Sequence, residues 1–97
     1  MPFPEQHPLV FSRESILTLL PGQTGCYGIF NASGGALYVG RSNDIRDRLL
    51  GHVGEPLLTV LGVSLLTEVG HWPQYDSYGR ERTLILEYRP WLNQRVG

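Results

Sequence analysis

Lysine is absent from this 97-residue chain, cysteine occurs once, and no apolar run comes near the ~18 residues that suggest a membrane span. A lone Cys26 cannot close an internal disulfide, so stability has to come from a packed core, and this usage points to a reducing compartment. With Cys26 isolated and His7, His52 and His71 scattered, no zinc-type ligand spacing exists. Also missing are the G-x-S-x-G nucleophile elbow, the phosphate-binding P-loop and the G-x-G-x-x-G dinucleotide fingerprint. The opening stretch, residues 1–8, has neither a basic start nor an apolar run and does not read as a signal peptide. The expectation is a single soluble, cytoplasmic domain over 1–97, with no membrane segment.

All eight basic residues are arginines, set against nine carboxylates for a net charge of −1. Any affinity for a nucleic acid therefore depends on where the arginines sit, because phosphate binding scales with the number of phosphates neutralised. Residues 41–52 and 76–97 each carry a surplus of only +1. So weak a grip leaves room for a protein partner that supplies targeting.

Ser12 is placed to cap a short helix with Ile16, Leu17, Leu19 and Leu20 on its apolar face, stopped by Pro21-Gly22. Two β-prone runs, 26–30 and 36–40, flank the turn-forming 31–35 and predict a hairpin. Gly28 and Gly40 inside those runs weaken a strand unless something must approach the backbone closely there. Ser42 suits the N-cap of a helix over about 43–52 that buries Ile45 and Leu49. One or two helical turns over 55–61, a third strand over 63–69 and a last helix ending at Tyr88 before Pro90 complete the pattern. The order predicts an α+β fold: a small, mostly antiparallel three-stranded sheet flanked by helices.

Four features are odd as plain structure. Tyr27 and Tyr38 sit on the two hairpin arms, each near a glycine, where cross-strand packing is the ordinary account. Arg41 follows the second strand, and with Arg48 and the helix N-terminus near Ser42 it suggests an anion site, although Arg48 also suits an i, i+4 pair with Asp44. His52 shares the face of Arg48 and reads first as a helix-end cap or packing residue. Glu81 starts the stripe that Leu84, Ile85 and Tyr88 continue, so a face that ought to be buried begins with a charge that needs a cation, either an arginine or a metal. Glu87 lies off the stripe, and Asn93, beyond Pro90, suits a turn.

Taken in order, 25–29 (GCYGI), 37–42 (LYVGRS), 45–49 (IRDRL) with His52, and 81–93 (ERTLILEYRPWLN) resemble the GIY-YIG nuclease family, with a motif-bearing core of about 19–93. The resemblance implies a GIY-YIG endonuclease-like fold and metal-dependent hydrolysis of phosphodiester bonds in DNA. It implies that Tyr27 and Tyr38 are the motif tyrosines, Arg48 the arginine of the first motif helix, and Arg41 a basic residue where relatives often have one. Glu81 becomes the single ligand of a Mg²⁺ or Mn²⁺ ion, Asn93 a late asparagine that supports the site, and His52 a histidine found in some members. Cys26 stands where relatives carry an aliphatic residue, a similar-sized buried choice. Two other readings stand beside this one: a non-catalytic nucleic-acid or protein-binding module on the same fold, and an interaction protein using Trp72, Trp91, Tyr75 and Tyr78 as a partner surface.

Overall fold

A computed structural model of the chain describes residues 2–94. Its elements run β1 (Leu9–Val10), α1 (Arg13–Ile16), β2 (Gly25–Phe30), β3 (Ala36–Ser42), α2 (Ile45–Val53), α3 (Pro56–Leu61), β4 (Ser64–Val69), α4 (Ser77–Tyr88) and α5 (Trp91–Gln94). The hairpin, the later strand and the 77–88 helix fall where the sequence places them, and 56–61 is helical with Pro56 in its first turn. Among the described residues, no helix is long and apolar enough to cross a membrane.

The sheet has four strands, not three, in the order β1-β4-β2-β3, with every pairing antiparallel. The extra strand is the two-residue β1, in which Leu9 pairs with Leu65 and Val10 with Ser64. Two residues cannot establish a period of two, so sequence patterning has nothing to detect there. β3 forms the opposite edge.

Two further boundaries differ from expectation. Ser12 does cap α1, accepting from the Ser15 N–H, but the helix is one turn long and leaves Leu17 and Leu20 exposed. At α2 the N-cap is Asp44, whose carboxylate accepts from Asp47 N–H, because β3 runs on through Ser42. The Ser42 hydroxyl instead closes a local turn with the backbone of Asp44.

Alternation sends successive residues of each strand to opposite faces. Tyr27, Ile29 and Leu65 pack on one face against Ile16, Ile45, Leu49 and Leu58, under α1, α2 and α3. Cys26, Phe30 and Val39 pack on the other against Phe3 and Leu84, under the N-terminal segment and α4. Gly28 makes room there: a Cβ would sit 2.8 Å from the Phe3 ring. Both layers are built mainly from apolar side chains, and among the described residues no buried side-chain nitrogen or oxygen lacks a hydrogen-bond partner.

Candidate active site

The register opposes Tyr27 to Gly40 and Ile29 to Tyr38, so the two tyrosines lie diagonally on one face, their ring centroids 6.2 Å apart. Tyr27 leans from β2 across β3. A Cβ on Gly40 would meet its hydroxyl at 2.6 Å and the Tyr38 ring at 3.0 Å, which explains the absence of a side chain at that position. The pair therefore does more than pack, because a glycine clears the strand for the phenol head.

His52, in the last turn of α2 and 2% exposed, meets that head with Nε2 2.7 Å from Tyr27 Oη. Its ring lies 5.1 Å from that of Tyr38, and its Nδ1 is 3.1 Å from the Glu55 carboxylate. Burial pushes the imidazole below its ordinary value, and Glu55 pulls the other way. Arg48, one turn earlier on α2 and exposed, lies close enough for its charge to act on the Tyr27 oxygen. Burial still dominates and pushes the Tyr27 phenol up; Tyr38 adds to this, Arg48 opposes it, and Glu81 adds a smaller push. The helix-end cap expected of His52 is not what it does. It packs, but it also spends both ring nitrogens on named partners.

Glu81 sits on α4 between buried Ser77, one turn before it, and buried Leu84, three residues on, and is itself half-buried. The arginine partner that plain structure would call for is missing: among the described residues Glu81 makes no hydrogen bond or ion pair. Its charge nevertheless reaches Tyr27 and Cys26, raising both groups. The neighbouring Arg80 grips Glu68 of β4 through Nε and Nη2 at 2.8–3.0 Å, while Tyr75 donates to the same carboxylate at 3.2 Å. That two-point contact fixes the rotation of α4 about its axis and hence the direction in which Glu81 projects.

Arg41 goes elsewhere than the anion site expected of it. It pairs with Cys26, on the face opposite Tyr27, and its Nε donates to Ser77 Oγ at 2.9 Å. The same guanidinium reaches Asn43 Oδ1 at 2.5 Å and lies 4.1 Å above the exposed Tyr78 ring. Arg41 and Arg48 are thus separated by the sheet, and the α2 N-terminus between them is occupied by Asp44.

Asn93 is not a turn residue. Its Oδ1 accepts from Val39 N–H at 2.8 Å and its Nδ2 donates to Val39 C=O at 2.9 Å, so one amide imitates a strand partner on the open edge of β3. Val39 lies between Tyr38 and Gly40, so the bridge holds the strand that carries the site. Asn93→Ala would leave both backbone groups unpaired at a partly covered position, at a cost of about 1–3 kcal/mol. The expected result is a clear drop in the thermal midpoint, with cleavage per folded molecule falling less steeply than for changes at Glu81; melting and activity measured on one preparation separate the two.

Of the aromatic residues suspected of forming a partner surface, Trp72, Tyr78 and Trp91 are exposed and Tyr75 is half-buried. Trp72 stacks edge-on with Tyr75 at 4.9 Å, Tyr78 carries Arg41, and Trp91 begins α5. The residues that sequence reasoning missed are Ser77 and Asn43 around Arg41, the Glu68–Arg80 pair, and Glu55, while Tyr78 was expected at a partner surface rather than beside Arg41. Of these only Glu55 left a signal, standing three residues after His52.

A tyrosine pair cleared by a glycine, an arginine and a histidine from the first helix after the hairpin, and a carboxylate on the long helix beyond make this chain a GIY-YIG nuclease domain. Its particular likeness is to the N-terminal endonuclease domain of UvrC. The magnesium-bound domain from Thermotoga maritima superposes with a TM-score of 0.70 at 27% identity, over 84% of this chain and 93% of that one. A variant of that domain, also bound to its catalytic divalent cation, gives 0.69 at 26% identity over 82% and 91%. The UvrABC system protein C of Limosilactobacillus fermentum is 31% identical over 88 residues, and that of Oenococcus oeni 28% over 88, each alignment covering 86% of this chain. The chain spans about 15% of the length of the curated relatives it matches. No family model matches it.

Proposed function

We propose that this chain is a divalent-metal-dependent endonuclease domain that hydrolyses phosphodiester bonds in DNA, in the cytoplasm, as one domain with its motif-bearing core at about 19–93. The observation that carries the reading is the placement of both reactive ends over β3: the Tyr27 phenol, held by His52 and within the field of Arg48, leans across Gly40 on one face, while α4 brings an unpaired Glu81 along the other. The edge of that strand, beside the stretch that Asn93 covers at Val39, is where one phosphate can meet both.

The donor set suits magnesium. Among the described residues no group of three His, Cys, Asp or Glu converges, which argues against an all-protein cage, whereas Mg²⁺ keeps several waters and needs only one or two carboxylates. Glu81 would hold the ion, which when bound supplies Lewis-acid polarisation of the phosphate. Tyr27 orients the attacking water and takes its proton. Arg48 faces the oxygens on which charge grows, a fork-shaped cation suited to phosphate. Tyr38 positions the phosphate beside the His52 ring. Arg41, pinned on the α4 side by Ser77, Asn43 and Tyr78, neutralises a neighbouring backbone phosphate, and Asn93 acts through the strand it holds.

A net charge of −1 gives little long-range attraction to DNA, which supports a targeting partner or further protein surface in the full assembly. The test is incubation of the purified protein with supercoiled plasmid and Mg²⁺ or Mn²⁺. Nicking that stops with EDTA is the expected result. Salt-sensitive DNA binding with no nicking under any divalent ion would replace the enzyme with a binding module.

A further inference from the structure

A buried phenol is a poor proton acceptor because it must lose its own proton to work, and burial here makes that loss harder. The surroundings of His52 answer this. The Glu55 carboxylate, when ionised, can only accept a hydrogen bond, so the His52 Nδ1 that lies 3.1 Å from it must be the donor. A neutral imidazole has one N–H, which leaves Nε2 bare and able to accept the Tyr27 hydroxyl 2.7 Å away. We propose that Glu55 is a positioning residue that fixes the His52 tautomer, so that Tyr27 passes its proton to His52 Nε2 as it takes one from water. This rests on the nuclease reading above for its chemical purpose, though not for its geometry.

The local backbone is built for the contact. Glu55 is the N-cap of α3, yet its side chain makes no capping hydrogen bond. Pro56, next in the chain, has no N–H to offer. The residue is held in a turn by Glu55 N–H to His52 C=O at 3.0 Å, and by Thr59 N–H, which donates to Glu55 C=O at 2.9 Å, with the Thr59 hydroxyl lying between the carbonyls of Val53 and Glu55. A casual surface pair would have neither a diverted cap nor a pinned main chain.

Proton and electron accounts close. The water oxygen bonds to phosphorus as one water proton moves to Tyr27 Oη, and the original phenol proton moves to His52 Nε2. The bond from phosphorus to the leaving oxygen breaks with its electron pair on that oxygen, which takes a proton from solvent. The imidazolium sits in the last turn of α2, where the helix dipole favours it, and beside Glu55; it later returns its proton to solvent. The groups facing His52 are Tyr27 from β2, Tyr38 from β3, Arg48 from its own helix and Glu55 from the turn beyond.

The test uses the whole chain, labelled with ¹⁵N at histidine, together with the variants Glu55→Ala and Glu55→Gln. In the wild type at neutral pH, His52 should show the Nδ1–H tautomer. Glu55→Ala, at a half-exposed site that leaves the fold intact by circular dichroism, should mix the tautomers. It should also lower kcat by about 10–100-fold with KM for DNA unchanged, the range for outer partners that orient a working imidazole. Glu55→Gln, whose carbonyl can still accept from Nδ1–H, should recover the tautomer and part of kcat. Removing the negative charge should also move the acidic limb of the rate profile to lower pH. A Glu55→Ala protein with an unchanged tautomer and unchanged kcat overturns the proposal. A wild type that never cleaves DNA, but whose Nδ1–H tautomer is lost in Glu55→Ala, supports this positioning role and overturns the nuclease reading instead.

Discussion

Glu81→Gln is expected to lower DNA cleavage by about 10³-fold or more while the thermal midpoint stays level or rises, since loss of a metal ligand removes several kcal/mol of transition-state stabilisation at about 1.36 kcal/mol per tenfold. The stability half of the prediction follows from the surroundings. Glu81 is half-buried on the inward side of α4, makes no ion pair or hydrogen bond among the described residues, and raises both Tyr27 and Cys26 by its charge. Neutralising it without changing its shape breaks no hydrogen bond or ion pair, so the fold has nothing to lose by the change. Calorimetric titration with Mn²⁺ should show binding to the wild type and none to the variant. Equal cleavage by a folded Glu81→Gln protein would remove Glu81 from the metal site.

The same contrast explains why this carboxylate was legible in the sequence while others were not. Glu81 interrupts an apolar stripe, and a charge at the start of such a stripe is visible to any reading of helical period. Glu68 becomes informative only when β4 is laid beside β2 and Arg80 is brought over it, a contact between residues 12 apart that no local pattern contains. Arg41 shows a different failure. Strand alternation after Tyr38 and Gly40 assigns it to the opposite face, but two nearby arginines in one motif invite a shared anion site, and that grouping overrode parity. Ser42 and Asp44 are both good caps, and only the true length of β3 decides between them. The hairpin, the tyrosine pair and Gly40 were readable because they depend on spacing within a few residues. Asn93 was readable as a motif position, but its work on Val39, 54 residues away, required the fold.

Tyr27→Phe is the second large effect, and its separation from Glu81→Gln lies in what survives. Removing one oxygen takes away the group proposed to accept the water proton and the bond to His52 Nε2 at 2.7 Å. Loss of a proton-transfer group costs about 10²–10⁴-fold in rate, so a fall near the middle of that range is expected in kcat. The ring stays, buried over Gly40, so packing is retained; the cost in stability is the hydrogen bond to a buried imidazole, about 1–2 kcal/mol. Mn²⁺ binding, which depends on Glu81, should persist in full. The pH profile supplies the sharper discrimination. His52 titrates below its ordinary value because burial disfavours its charged form, so in the wild type the neutral, active ring persists into mildly acidic solution, and activity falls only as pH drops through that lowered value. Stability carries the same sign: a depressed histidine contributes stability that is complete above its unfolded value near 6.5 and is lost as pH falls through the folded one. In Tyr27→Phe the residual activity should lose the acidic limb, because no proton remains to pass to His52, while the acid-induced loss of stability should remain. A variant that cleaves at the wild-type rate, or whose residual rate keeps the same acidic limb, would show that the proton leaves the attacking water by a route that avoids Tyr27.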